Sequence, residues 1–184
     1  SGSASYGLKT DGTLWAWGGN QAGQLGNGTV TYASSPVQVG SLTNWKQVAG
    51  GNYGFMAIKT DGTLWGCGYN NRGQLGNNTV TYYSSPIQVG ALTNWKQVWT
   101  GGNCTFAIKT DGTLWGCGYN PVGNLGINNT TYYSSPVQVG ALTNWKQVSG
   151  STIVLAIKTD GTLWGWGYNN SGQLGNGSTS SYSS

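Results

Sequence analysis

Four aspartates are the only carboxylate side chains in this 184-residue chain, and it contains no histidine. Asp11, Asp61, Asp111 and Asp160 each lie two residues after a lysine and directly before a glycine. General acid–base catalysis needs titratable groups that converge on one substrate with separated pKa values, and four copies of one turn motif do not supply them. A cysteine nucleophile needs a base beside it; Cys67, Cys104 and Cys117 have none in prospect, and their spacing matches no zinc or redox motif. Gly-x-x-Gly without the Lys-Ser/Thr of a phosphate-binding loop is only a turn. The expectation is therefore no enzyme, no cofactor and no metal. What remains is contact chemistry. Tyr82-Tyr83 and Tyr132-Tyr133 stand in polar stretches, where tyrosine offers area and a polar tip at low entropic cost.

These residues are set in a repeat. Lys59-Thr60-Asp61-Gly62-Thr63-Leu64-Trp65-Gly66-Cys67-Gly68-Tyr69-Asn70, followed by Gly73-Gln74-Leu75-Gly76, returns at Lys9, Lys109 and Lys158. Counted at Leu14, Leu64, Leu114 and Leu163, the spacings are 50, 50 and 49 residues. A second block, Ser35 to Val48, recurs at Ser85 and Ser135. Self-similarity at this period denotes a solenoid, propeller or array.

Each unit offers four strand-sized runs: A (Trp45 to Ala49), B (Phe55 to Lys59), C (Thr63 to Tyr69) and D (Pro86 to Val89). Asp-Gly between apolar runs signals a hairpin. Read as a two-residue loop, Asp61-Gly62 pairs Ile58 with Trp65 and Met56 with Cys67. One face then carries Met56, Ile58, Trp65 and Cys67, and the other carries Leu64 with Gly66 and Gly68, where another backbone could approach. Both faces look buried, as in a sheet stacked between neighbours. The same register puts Cys104 opposite Tyr119 and Cys117 opposite Phe106, out of disulfide reach, so three free, buried thiols are expected. Leu25, Leu75, Leu125 and Leu174 read as plugs from the C–D loop. Pro36, Pro86 and Pro136 open strand D, which is therefore an edge. No helical periodicity appears.

Charged residues make up only 7% of the chain, yet it holds 10 Trp and 11 Tyr; disordered chains are aromatic-poor. Lysines and aspartates largely cancel, leaving Arg72 and the singly spaced Lys46, Lys96 and Lys146 behind the net charge of +4. That is not the one-sided basic cluster of a nucleic-acid footprint. No apolar run reaches the roughly 18 residues of a membrane helix, so membrane insertion is not expected. Asn-x-Thr/Ser triplets begin at Asn27, Asn77, Asn128 and Asn176; they recur with the repeat and say little about secretion.

Four-stranded units at this period suggest β-propeller blades. The run Asp160-Gly161-Thr162-Leu163-Trp164-Gly165-Trp166-Gly167-Tyr168-Asn169, then Gly172-Gln173-Leu174-Gly175, resembles the regulator-of-chromosome-condensation repeat over essentially the whole chain. The resemblance implies an all-β fold of four-stranded antiparallel blades belonging to a larger, seven-bladed type of propeller. The chain departs from the family at Cys67 and Cys117, which replace the tryptophan of Trp17 and Trp166, at Asn124, and in lacking a histidine before strand B. The Gly-Trp-Arg-His-Thr context of the family's ultraviolet-B photoreceptor is absent, which disfavours that reading.

The expected organisation is a single propeller segment, 1–184, with repeats near 1–44 (lacking A), 45–94, 95–144 and 145–184 (lacking D). It is read as part of a longer array, or as a ring completed by further chain or self-assembly. The expected role is binding, with a loop face presented to a protein or glycan, by analogy with bacterial surface or phage proteins: extracellular, cell-surface or virion-borne. The rivals implied by the resemblance are an intracellular regulatory propeller (a GTPase exchange factor or chromatin binder) and an inhibitor of a secreted enzyme.

In an antiparallel A-B-C-D order, A–B and C–D loops share one end and B–C and D–A loops the other. The latter repeat nearly unchanged, whereas the former vary: Ala49-Gly50-Gly51-Asn52-Tyr53 against Trp99-Thr100-Gly101-Gly102-Asn103, and Asn71-Arg72 against Gln21-Ala22 and Pro121-Val122. Packing is periodic from blade to blade and a partner is not. Tyr53, Arg72, Trp99 and Asn103 are thus the leading contact candidates, with Tyr82, Tyr83, Tyr132 and Tyr133 behind them.

Overall fold

The computed structural model describes residues 3–51 and 53–183; Asn52, in the first of the variable loops, lies outside them. Fourteen strands form four antiparallel sheets. The first holds β1 (Ala4–Leu8), β2 (Leu14–Gly18) and β3 (Ala33–Gln38). The second holds β4 (Trp45–Gly51), β5 (Gly54–Lys59), β6 (Leu64–Gly68) and β7 (Tyr83–Gln88), and the third β8 (Trp95–Gly101), β9 (Cys104–Lys109), β10 (Leu114–Gly118) and β11 (Tyr133–Gln138). The fourth holds β12 (Trp145–Gly150), β13 (Ile153–Lys158) and β14 (Leu163–Gly167). Strands neighbour one another in sequence order. The first sheet thus contains B, C and D, and the fourth A, B and C, with an isolated Gly167–Tyr182 bridge where a D strand begins.

First strands of successive sheets run close together, β4 against β8 and β8 against β12. The Gln47 amide bridges two of them, donating to the Val98 carbonyl at 2.9 Å and accepting from the Val98 N–H at 3.1 Å. Crowding of the A strands is what a radial arrangement with A innermost produces.

The hairpin register differs by one residue from the sequence reading. Ile58 pairs with Leu64, Ala57 with Trp65, Met56 with Gly66 and Phe55 with Cys67. The loop has three residues: the Gly62 N–H bonds the Lys59 carbonyl at 3.0 Å, and the Lys59 N–H bonds the Thr63 carbonyl at 3.1 Å. This is a type I turn closed by a residue in the left-handed region, Gly62 at φ 78°. A slip of one residue changes every facing pair. Leu64, Ile58 and Met56 therefore share one face, and Trp65, Ala57, Phe55 and Cys67 the other. Gly66 makes room for side chains rather than backbone: a Cβ there would lie 2.5 Å from the Met56 sulfur and 3.2 Å from Leu75. Strand D also starts earlier than read, at Tyr83, and Pro86 falls in the bulge between the Gly66 and Gly68 pairings, where a missing N–H breaks no ladder bond.

The core lies between sheets. Met56, Ile58, Leu64, Leu75 and Val89 of the second sheet meet Trp95, Val98 and Ala107 of the third. Leu14, Ala16, Leu25 and Val39 meet Trp45, Phe55, Ala57 and Cys67 in the same way one sheet earlier. Leu25, Leu75 and Leu125 are buried plugs as expected, and Leu174 is half-buried.

The lysine before each hairpin is not simply cancelled by its aspartate. Lys59 is buried with its ammonium 3.5 Å from the Trp65 ring centroid and 5.0 Å from that of Trp45; Lys109 and Lys158 repeat the arrangement. Such contacts favour a cation over an indole face, while desolvation holds Lys59 and Lys109 below the usual lysine range, opposed by the nearby aspartates.

Candidate functional site: the cleft at Arg72

Two hydrogen-bond systems position the loops. At one end, Asp61 Oδ1 accepts from the Thr63 N–H at 2.9 Å and the Thr63 hydroxyl at 2.6 Å, and the Thr63 oxygen accepts from Trp65 Nε1 at 2.8 Å. The relay repeats at Asp11, Asp111 and Asp160. The D–A loop lies against it, with the Thr60 N–H bonded to the Asn44 carbonyl at 2.9 Å. Every lysine and aspartate belongs to this end of the sheets.

At the other end, buried Asn70 pins the C–D loop. Its Oδ1 accepts from the Leu75 N–H at 2.9 Å, and its Nδ2 donates to Asn77 Oδ1 and the Thr79 carbonyl at 3.0 Å each. Asn20, Asn120 and Asn169 likewise accept from the following leucine N–H and donate to a loop carbonyl. The loop is then tied to the next sheet by the Asn78 N–H, 2.7 Å from the Ser134 carbonyl, as Gly28 is to Ser84 and Asn128 to Ser183.

These loops enclose a cleft of about 530 Å3 lined by Gln21, Ala22, Gln24, Tyr53, Tyr69, Asn71, Arg72, Tyr82 and Asn103. Tyr53, Tyr69 and Tyr82 form a continuous array, with ring centroids 5.1 Å and 4.4 Å apart. Asn71 Nδ2 donates to the Tyr69 hydroxyl at 2.7 Å. The Tyr82 phenol is pushed up to about 12, chiefly by its hydrogen bond to Tyr69. Gln74 donates to Asn103 Oδ1 at 3.5 Å. The Arg72 guanidinium lies over the next sheet, 5.3 Å from the Tyr119 ring and 5.7 Å from that of Tyr132. Among the described residues, it is the one charged side chain lining the cleft.

Four of the expected contact residues, Tyr53, Arg72, Tyr82 and Asn103, line this one cleft, and Tyr132 sits under Arg72. Three others lie elsewhere. Trp99 belongs to strand β8 and packs half-buried against the core between the third and fourth sheets. Tyr83 and Tyr133 open β7 and β11 and pack inward, whereas Tyr82 and Tyr132 remain exposed. Gln21, Ala22, Gln24, Tyr69 and Asn71 also line the cleft and were not among the expected contacts. Tyr69 repeats as Tyr119 and Tyr168, which hid it, but the Ala22–Arg72–Val122 variation marked that loop.

The cleft lining holds, among the described residues, no carboxylate, histidine or thiol. Among the described residues, no three His, Cys, Asp or Glu side chains gather as a metal site. The three thiols are free and buried, and desolvation raises each, Cys104 to about 12. Among the described residues, no helix is long and apolar enough to cross a membrane.

The profile described as "Regulator of chromosome condensation (RCC1) repeat" matches residues 11–58, 61–108 and 111–157. The chain belongs to the RCC1 repeat family. A second RCC1-repeat profile matches residues 45–74 and 148–173. No curated protein sequence matches the chain. Among solved structures, it is similar to human WBSCR16, at TM-score 0.85 and 23% identity over 98% of this chain and 49% of that one. It is similar to yeast RCC1 (Prp20) bound to Kap60, at TM-score 0.85 and 22% identity over 98% and 45%. A further Saccharomyces cerevisiae Prp20p structure, titled for its binding properties to Gsp1p and histones, matches at TM-score 0.85 and 21% identity over 100% and 48%. The RCC1-repeat chain thus spans about half the length of these propellers.

Proposed function

We propose that this RCC1-repeat chain is a non-enzymatic binding module that engages a protein through its A–B/C–D loop face, with the Arg72 cleft at the centre of the contact. The observation that carries the reading is a coincidence of two features. The cleft lies where the repeat departs from itself, at Ala22, Tyr53, Arg72 and Asn103, while the opposite end repeats one hydrogen-bond relay four times. A cleft lined by aromatic rings with a few amides and one arginine has the composition of a recognition surface. The protein partners in the titles of the Prp20 structures support a protein over other ligands.

A glycan is the second reading, favoured by the tyrosine array and side-chain amides. The sparse charge of the chain supports a place outside the cell, on a cell surface or on a virion, and similarity to Prp20 supports the rival, an intracellular regulator. A further repeat or a second copy beside the first or fourth sheet is compatible with either. Site-specific photo-crosslinking tests the proposal: a benzophenone side chain at Asn71 should trap one discrete protein in the native setting, and one at Leu42, in a D–A loop, should not. Trapping from Leu42 alone would overturn it.

A further inference from the structure

Among the described residues, Arg72 is remote from every carboxylate side chain. Asp11, Asp61, Asp111 and Asp160 all occupy B–C turns, at the far end of the sheets from the C–D loop that carries Arg72. The positions equivalent to it are Ala22, Val122 and Ser171, so no packing requirement of the repeat calls for a cation there. Arg72 is exposed, and its guanidinium carbon lies 5.3 Å and 5.7 Å from the ring centroids of Tyr119 and Tyr132, which are themselves 4.9 Å apart. A cation–π contact of this kind uses the charge of the guanidinium and ties up none of its N–H groups in a hydrogen bond. Among the described residues, no side chain accepts a hydrogen bond from them. An arginine already resting against aromatic rings loses less freedom when it forms a two-point pair. The cleft beside it holds rings and amides, with no acid to compete.

We propose that Arg72 reads a carboxylate of the protein partner, an Asp or Glu side chain or a chain terminus, through a bidentate pair, while Tyr53, Tyr69 and Tyr82 pack the segment that carries it. The inference rests on the binding reading above. A fork-to-fork pair of this type is stronger and more directional than one made by a lysine.

The probe is the peptide acetyl-Gly-Glu-Gly-amide, titrated into the isotopically labelled chain and followed by NMR. Saturable shifts are expected at the Arg72 side-chain N–H and at the side-chain amides of Asn71 and Asn103, weakening with salt. The glutamine counterpart should shift none of them. Arg72→Gln should abolish the response, and Arg72→Lys should weaken it about fivefold or more. Equal binding of the glutamine peptide, an undiminished response in Arg72→Gln, or no saturable shift would overturn the proposal. Saturation by glucuronate but not by the peptide would overturn it in favour of an acidic sugar. The Asn71 photo-crosslink repeated in Arg72→Gln separates the two readings. A retained adduct with a failed peptide titration removes the carboxylate pairing and leaves the binding face intact.

Discussion

Trp166 donates its indole N–H to the backbone carbonyl of Asn124 at 3.0 Å, across the boundary between the third and fourth sheets. One boundary earlier, Cys117 directs its thiol to the Gln74 carbonyl at 3.7 Å, and before that Cys67 meets the Gln24 carbonyl at 3.6 Å. Indole and thiol thus serve the same acceptor. Their partners on the neighbouring strand explain part of the exchange: Trp17 faces Ser5 and Trp166 faces Val154, whereas Cys67 faces Phe55. Large opposes small, and the pair keeps its volume.

A double-mutant cycle follows from this pairing. Cys67→Trp alone should cost about 1–3 kcal/mol through overpacking. Adding Phe55→Val, which recreates the Val154–Trp166 pair, should recover most of that, giving a coupling of about 1 kcal/mol or more. Urea unfolding of the four species measures it, and additive effects would show that the pair does not share a volume.

The third sheet sets Thr105 against Cys117, both small, and a small internal cavity lies beside them among Leu75, Trp115 and Pro136. That cavity, of about 10 Å3, does not admit a ring, so Thr105→Phe, which also loses the hydroxyl bond from Thr105 to Thr100, should cost at least as much as enlargement at Cys67, about 1–3 kcal/mol. Thermal unfolding of the two variants side by side decides the order.

Asn70 is buried and its side chain bonds both strands of its loop. Asn70→Leu leaves the Leu75 N–H and the Thr79 carbonyl without the partner they have now and should cost roughly 2–4 kcal/mol. Because Asn20 does the same work one repeat away, the paired variant should show nearly additive losses.

Acid should loosen the other end. Thr63 donates to Asp61 through its hydroxyl and its backbone N–H and holds that carboxyl below the ordinary carboxylate range, as the equivalent threonines do at Asp11, Asp111 and Asp160. A folded-state pKa below the unfolded value contributes stability above about 3.9 that is lost as pH falls through the lower folded value. The melting temperature should change little between about pH 7 and pH 5 from this source, then drop below about pH 4. Asp61→Asn, which cannot titrate, should flatten that acid limb in a melting series against pH.

The architecture was legible in the sequence because a near-identical unit recurs, so strand order, the D edge and the leucine plugs could be read from one copy. The hairpin register could not. Asp61-Gly62 looks like a two-residue loop, and only the left-handed Gly62 with the Lys59–Thr63 bond reveals that Thr60 belongs to it. Strand D hid its start because Pro86 resembles a strand opener but sits within a bulge. Of the candidate site, the breaks in the repeat located Tyr53, Arg72 and Asn103, and the polar stretch around it singled out Tyr82. Trp99 was read with them because strand β8 continues to Gly101, two residues beyond the alternation that suggested its end. Tyr69 was invisible for the opposite reason: nothing in its own repeat marks it, and only the neighbouring Ala22 leaves its ring open.

Each internal boundary sets a leucine-bearing face against a tryptophan-bearing one, as Leu14 and Leu25 meet Trp45 and as Leu64 and Leu75 meet Trp95. Because both halves recur in every unit, the junctions are interchangeable. Unequal recombination between nearly identical coding segments, adding or deleting one unit, would leave every new junction chemically equivalent to the old ones. The length of such an array can therefore drift by whole units without passing through a misfolded intermediate, and the loop face at Arg72 can diversify while the scaffold is copied unchanged.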